Sequence, residues 1–271
     1  MIKKRTAIRL LALGIFIAIC GVSINSIAAD ISAGEIMEKN FFVSKIRAVK
    51  GESTMILVNK LGQTRERKMS SVWTLQNNGI DTNLLMRFSE PSDIRGTSFL
   101  QLEHSDGDDD LWIYLPALRK SRRLVANNKK DSFMGSDFSY GDILPPKVEL
   151  YHHRLLDTET VNGKDCYIIE SVPITDIEKT NSGYSKKKTW VDKINYMTIK
   201  AEYFDLSNRL FKAQISTNHQ LIEPENKRWL AMRREMLNYD TGHKTVLIFD
   251  RIEPRLSIPP NYFTTRSMER E

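Results

Sequence analysis

Between residues 53 and 252 the chain is a succession of short runs in which apolar and polar side chains alternate, each closed by Gly, Asn, Asp, Ser or Pro. A period of two sends successive side chains to opposite faces of an extended strand. In 64–76, Met69, Ser71, Trp73 and Leu75 share one face; Glu66, Lys68, Ser70, Thr74 and Gln76 share the other, with Val72 the exception. The pattern predicts strands at 53–59, 64–76, 83–89, 97–104, 110–115 and 119–125. It predicts further strands at 155–161, 164–173, 186–192, 198–205, 209–217, 229–238 and 245–252. Asn162-Gly163, Ser207-Asn208 and Thr241-Gly242 read as hairpin turns. Leu230, Met232 and Met236 align in one late run, and Val246, Ile248 and Ile252 in the next. No linker or low-complexity tract divides these runs, so they belong to one antiparallel sheet. A sheet of about ten or eleven strands is too long to stay flat and must curl toward a barrel.

One helix precedes the sheet. Ser32-Ala33-Gly34-Glu35 reads as a capping box, and Ile36, Val43 and Ile46 recur at helical spacing. The expected helix runs over 33–49, is stopped by Gly51, and is free to fill or cap the inside of the sheet. Farther on, 139–142 predicts a short helical turn. Near the end, Tyr262 and Phe263 are expected to dock, leaving 267–271 as a free charged tail.

Residues 1–28 read as a cleavable signal peptide and 29–271 as the mature domain. Lys3, Lys4 and Arg5 form a positive start, 10–19 an apolar run, and Ser26-Ile27-Ala28 a cleavage signal. A periplasmic location is expected. Of the formal charge of +6, Lys3, Lys4, Arg5 and Arg9 contribute four, leaving about +2. A nucleic-acid partner thereby loses its electrostatic support. Cys20 departs with the signal, and Ile19 stands where a lipobox wants a small residue, so anchoring at Cys20 is not expected. Cys166 then remains alone and is expected to be buried.

The stretch 111–142 is the most unusual. Leu111, Ile113 and Leu115 lie on one side of a strand, Trp112 and Tyr114 on the other, so both faces are apolar. A basic cluster with Arg119, Arg122 and Arg123 follows, then a loop with Phe133, Met134, Gly135, Phe138 and Tyr140. The cluster reads either as the solvated face of an edge strand or as a rim for an anionic headgroup or partner. Trp73, Phe88, Phe99, Trp112 and Tyr114 are the candidates for an apolar hollow, although any barrel core also needs aromatics. Trp112 and Tyr114 are expected to face in, and the loop to act as a flap.

Catalysis has little support. No G-x-S-x-G surrounds Ser136, and Asp137 beside it reads as a turn. His152 and His153 are adjacent and point to opposite faces of a strand, and 106–110 lacks the spacing of a calcium loop. No catalytic residue, metal or cofactor is expected.

The segments Phe88-x-x-Pro91-x-Asp93-x-Arg95-Gly96-Thr97-x-Phe99-Leu100, Asp110–Pro116, Arg122-Arg123 and Ser132–Tyr140 with Asp142 resemble the outer-membrane lipoprotein-sorting protein family. They are most similar to its LolA-like branch associated with RND-type (MMPL-like) lipid exporters. The resemblance implies a mainly β fold: a single curved antiparallel sheet forming an incomplete β-barrel, with helices or loops as a lid. It implies a non-enzymatic carrier that holds the acyl chains of a lipid or lipoprotein and passes them between envelope membranes, or to or from an RND-type transporter. A monomer is expected. The alternative is a structural or adaptor subunit of an envelope transport complex that binds protein only.

Overall fold

The structure is a computed structural model that describes residues 31–125, 129–145, 147–254 and 257–269. The expected signal peptide and Cys20 lie outside the described residues. Thirteen strands form one antiparallel sheet. In the first half these are β1 (Ala48–Val58), β2 (Thr64–Leu75), β3 (Thr82–Glu90), β4 (Ser98–Leu102), β5 (Asp110–Leu115) and β6 (Lys120–Leu124). In the second they are β7 (Tyr151–Val161), β8 (Lys164–Pro173), β9 (Lys186–Asp192), β10 (Thr198–Phe204), β11 (Leu210–Glu223), β12 (Arg228–Asn238) and β13 (His243–Pro254). Every expected run carries a strand, so the count exceeds the expected ten or eleven. Helices α1 (Ala33–Val43), α2 (Tyr140–Ile143), α3 (Asp176–Ser182) and α4 (Thr265–Met268) complete the fold.

The strand order is β6-β5-β4-β3-β2-β1-β13-β12-β11-β10-β9-β8-β7. The sheet therefore begins and ends in its middle, where β1 pairs with β13, and its free edges are β6 and β7. It is not closed into a barrel. One buried cluster nevertheless unites Met69 and Phe99 of the first half with Tyr203 and Met236 of the second. On a flat sheet β4 and β10 would stand about 33 Å apart. Curvature brings their inner faces around one core, helped by β-bulges at Glu52/Ser53, Lys68/Met69 and Tyr203/Phe204.

Helix α1 lies inside the curve. Its capping box forms as the sequence predicts: Ser32 Oγ accepts from Glu35 N at 3.2 Å, and the Glu35 carboxylate accepts from Ser32 N at 2.9 Å. Ile36 and Met37 pack on Ile169 and Val191, while Asn40 donates to the Tyr196 carbonyl at 2.7 Å. The helix ends at Val43, not at the expected Val49. Ala48, Val49 and Gly51 instead belong to β1, where Val49 pairs with Trp73 and Gly51 with Ser71. Partners on both sides, β2 and β13, outweigh the helical spacing of Ile46. Gly51 is no helix stop; a Cβ there would meet Ile252 at 3.0 Å and Trp73 at 3.4 Å.

In the tail Phe263 docks as expected, but Ser267 and Met268, expected to be free, are held as well. Phe263 and Met268 are buried on the outer face of the first half, against Val72, Leu85 and Leu100. Ser98 Oγ donates to the Met268 carbonyl at 3.1 Å and Arg87 to the Ser267 carbonyl at 2.6 Å. Val72 broke the alternation of β2 because this segment keeps its face dry. Cys166 is buried, as its strand setting implied.

A buried ion pair joins the helix to the sheet. Lys45, just past α1, meets Glu103, just past β4, at 2.6 Å, with both side chains at 4% exposure or less. Glu103 also accepts from Thr82 N at 2.7 Å, and the Lys45 ammonium lies 4.2 Å from the Phe41 ring centroid. Burial pushes the Lys45 ammonium down and the Glu103 carboxyl up, against their mutual attraction. Removing one member strands the other in a dry site, which costs about 3–5 kcal/mol. Lys45→Met and Glu103→Gln should each lose stability of that order in urea unfolding, and Lys45→Met/Glu103→Leu should recover much of it. Single variants as stable as wild type would show that the pair carries no such strain.

Candidate functional site

Because β6 and β7 are the two free edges and successive in the chain, the segment joining them must travel from one edge of the curved sheet to the other. That segment contains the expected flap. Its first part folds on itself: Phe133 N donates to the Phe138 carbonyl at 2.8 Å, and Ser132 bridges Ser139. Met134 and Gly135 both take positive φ, 53° and 70°, which turns the loop sharply. Met134 holds this strained conformation with its carbonyl accepting from Arg67 of β2.

The loop presses aromatic rings onto the inner face. Phe133 and Phe138 are completely buried and Tyr140 nearly so. Phe133 stands 5.6 Å from Phe99, 6.2 Å from Phe88 and 5.3 Å from Tyr140, ring centroid to centroid. Sheet and flap aromatics thus form one stack. Asp137 ties the loop to β13, its N–H donating to Thr245 Oγ1 at 2.9 Å and its carboxylate accepting from that hydroxyl at 2.7 Å.

The flap's far end is fixed to the second half by charge. Ser139 caps α2, accepting from Asp142 N at 3.2 Å while Asp142 accepts from Ser139 N at 2.7 Å. The Asp142 carboxylate also meets Lys212 of β11 at 2.5 Å and accepts from the Tyr184 hydroxyl at 2.8 Å. Burial alone would push its carboxyl up; Lys212, the Ser139 N–H and Tyr184 outweigh that and hold it below the ordinary carboxylate range. Burial drives the Tyr184 phenol well above its usual value, with Asp142 adding to it, so it stays a donor. Arg234 of β12 donates to the Asp142 carbonyl at 2.9 Å and lies 5.2 Å from the Phe138 ring centroid.

Among the described residues the inner face holds two adjoining cavities. The larger, about 300 Å³, lies between Phe41 of α1, Leu144 beyond the flap, and Lys187, Tyr203, Gln214 and Arg234 of the second half. The smaller, about 150 Å³, is bounded by Trp73, Leu84, Met86, Leu247 and Phe249. Ile143, Pro145, Leu230 and Arg234 line both.

The structure thus brings Trp73, Phe88 and Phe99 to the inner face, with Phe133, Met134, Phe138 and Tyr140 over them. Phe88 and Phe99 lie beneath the flap rings; Trp73 lines open space beside Phe249. Trp112 and Tyr114 require correction. They project from the outer face of β5 and are covered by Phe263 and Met268, while Leu111 and Ile113 supply the inner face. The two apolar faces of this strand have two different covers. The basic rim also divides. Arg123 projects outward and pairs with Asp110, Arg122 is exposed beside Ile113 on the inner side, and Arg119 turns the exposed end of the hairpin with φ 48°. These three do not converge on one group.

Lys187, Lys212 and Arg234 of the second half also point inward, and the sequence reading did not single them out. Their signal was a break of pattern: Arg234 shares its phase with Met236, and Lys187 with Thr189 and Val191. Lys187 is hidden within Lys186-Lys187-Lys188, whose outer members lie near the Phe204 ring.

A carboxylate held below its ordinary pKa stabilises the closed flap above that ordinary value and loses the effect only as pH falls through the depressed one. Hydrogen exchange over 133–144, corrected for intrinsic rates, should keep its protection down to about pH 4. Asp142→Asn should lose at least tenfold of it at neutral pH. Protection already lost near pH 6, or unaltered by Asp142→Asn, would refute the latch.

No curated relative matches the chain. A family model described as "Uncharacterized protein" matches residues 81–270. Three solved structures are similar over nearly their whole lengths. A domain from Vibrio parahaemolyticus named for outer membrane lipoprotein sorting is 31% identical, with 88% of this chain and 98% of that one covered and a TM-score of 0.80. A DUF1329 family protein from Desulfovibrio piger is 26% identical, with 87% and 97% covered and a TM-score of 0.79. A LolA superfamily protein from Nitrosomonas europaea, 22% identical with 88% and 99% covered and a TM-score of 0.68, shares the fold. The inner-face aromatics, the edge-to-edge flap and the first of these likenesses agree: the chain belongs to the outer-membrane lipoprotein-sorting protein family.

Proposed function

We propose that this protein is a non-enzymatic periplasmic carrier that binds the acyl chains of a lipid or lipoprotein on the inner face of its sheet. The observation that carries the reading is the flap: three buried rings cover an open sheet beside unfilled space. Burying each ring is worth roughly 1.5–3 kcal/mol, so lifting all three costs about 5–9 kcal/mol. An acyl chain of about fifteen methylenes gains about 12 kcal/mol on leaving water. Cargo of that length can therefore displace the flap, whereas a much shorter chain cannot. The flap rings return when cargo leaves, so the apolar face is never left wet.

The export signal in 1–28 is the basis for the periplasmic location. Among the described residues no helix is long and apolar enough to cross a membrane. Handing cargo between envelope membranes, or to or from an RND-type transporter, is the role we propose for it as a monomer. That partner rests on the sequence resemblance alone, and crosslinking in whole cells followed by pull-down tests it.

Native mass spectrometry of protein purified from the periplasm should show co-purifying lipid. Protein that stays lipid-free and rejects fluorescent fatty acids would contradict the reading and favour an adaptor that binds protein only. Phe133→Ala separates an exchangeable flap from a fixed core. It weakens the closed state by about 3–5 kcal/mol, so acyl affinity should rise at least tenfold in a fluorescent fatty-acid titration. A variant that binds acyl chains less tightly than wild type would make Phe133 ordinary core.

A further inference from the structure

The proposed carrier function leaves the cargo's polar end unassigned, and the inward cations bear on it. Lys187, Lys212 and Arg234 rise from β9, β11 and β12 onto one face around Asp142. The cross-strand register sets Lys187 opposite Tyr203, and Tyr203 opposite Lys212. Three cations thus surround one carboxylate. That carboxylate is committed to Lys212 at 2.5 Å, with Tyr184 and Ser139 taking further lone pairs.

The other two cations are left over. Among the described residues Lys187 has no hydrogen bond or ion pair; its Nζ lies 5.8 Å from the Tyr203 ring centroid. Arg234 spends one N–H on the Asp142 carbonyl, and its buried Nε has no partner. Both line the larger cavity. Glu178, another carboxylate on that wall, accepts from the Tyr151 hydroxyl at 2.7 Å. A cation drawn out of water without a counter-charge is costly, and burial depresses both Lys187 and Arg234. An oxyanion entering the cavity would remove that cost.

We propose that Lys187 and Arg234 form an anion site behind the flap that takes the oxyanion, carboxylate or phosphate, at the polar end of an acylated amphiphile. The guanidinium offers paired donors to such a group and the ammonium a point charge. Arg234 also couples the site to the flap, since its present contacts are the Asp142 carbonyl and the Phe138 ring. Opening the flap frees donors for the headgroup as the apolar face is uncovered. The inference rests on the acyl-carrier reading and adds a selection for negative headgroups, a role the sequence reading gave to Arg119, Arg122 and Arg123.

The test compares palmitate with hexadecanol, the same chain without the charge, and with inorganic phosphate, the charge without the chain. Delipidated protein, expressed from the whole chain and taken from the periplasm, is titrated with each by displacement of a fluorescent fatty acid. Charge-assisted hydrogen bonds predict a preference for palmitate over hexadecanol of about ten- to a hundredfold. In Lys187→Met and Arg234→Met the ratio should fall toward one, and Lys187→Arg should keep it. Lys187→Met should also raise the melting temperature of the lipid-free protein, because a half-buried cation with no partner among the described residues is gone. Equal affinities for palmitate and hexadecanol in wild type overturn the headgroup site and leave the carrier reading standing. A ratio unchanged in Lys187→Met, or a lowered melting temperature, also overturns the site. Inorganic phosphate competing as strongly as palmitate assigns the pair to a free oxyanion and overturns the amphiphile. Failure of both palmitate and hexadecanol to bind removes the carrier reading itself.

Discussion

An open sheet whose two free edges are consecutive strands has one structural consequence on which the rest depends. The connection between β6 and β7 has to pass from edge to edge, and it does so carrying Phe133, Phe138 and Tyr140 on the inner face. A closed barrel would need no such connection. Here the sheet's inner surface is completed by a segment bound through side chains and a few hydrogen bonds, not through a ladder. The core and the candidate site are consequently the same surface. Ring stacking holds the flap to the first half, and a buried carboxylate holds it to the second.

This division of labour matters energetically. Apolar burial is non-directional and can be exchanged for any other apolar surface of similar area. The contact of Asp142 with Lys212, Tyr184 and Ser139 is directional and cannot be replaced by a hydrocarbon. Cargo competes with the rings on equal terms, while the carboxylate decides where the flap returns. The buried Lys45–Glu103 pair serves a different end of the molecule, fixing α1 inside the curve where it bounds the larger cavity.

Much of this architecture was legible in the chain. Alternation located every strand, Ser32–Glu35 announced its cap, and 139–142 announced a helical turn. Three things were hidden, each for a physical reason. Helical spacing carried the expected helix past Val43, because pairing of 48–51 with β2 and β13 leaves no signature within 33–51 itself. Trp112 and Tyr114 read as cavity wall in the sequence, because a strand dry on both faces does not say what covers each one. The cover on the outer side comes from Phe263 and Met268, more than 145 residues away in sequence. Inward charges were the third. Lys187 and Arg234 are unremarkable in a basic chain until the phase of their strands is fixed by the residues around them.

If the flap occupies the place cargo takes, a reversible crosslink that holds it down should block uptake. Asp137 and Thr245 touch across the flap–sheet contact, so Asp137→Cys/Thr245→Cys offers a bond that locks the flap down. Cys166 is buried and does not compete for it. Fluorescent fatty-acid uptake is measured in the oxidised protein and again after reduction. Uptake should be abolished while the crosslink stands and return when it is cut. Uptake at the same affinity in both forms would show that acyl chains bind elsewhere and that the flap is simply part of the core.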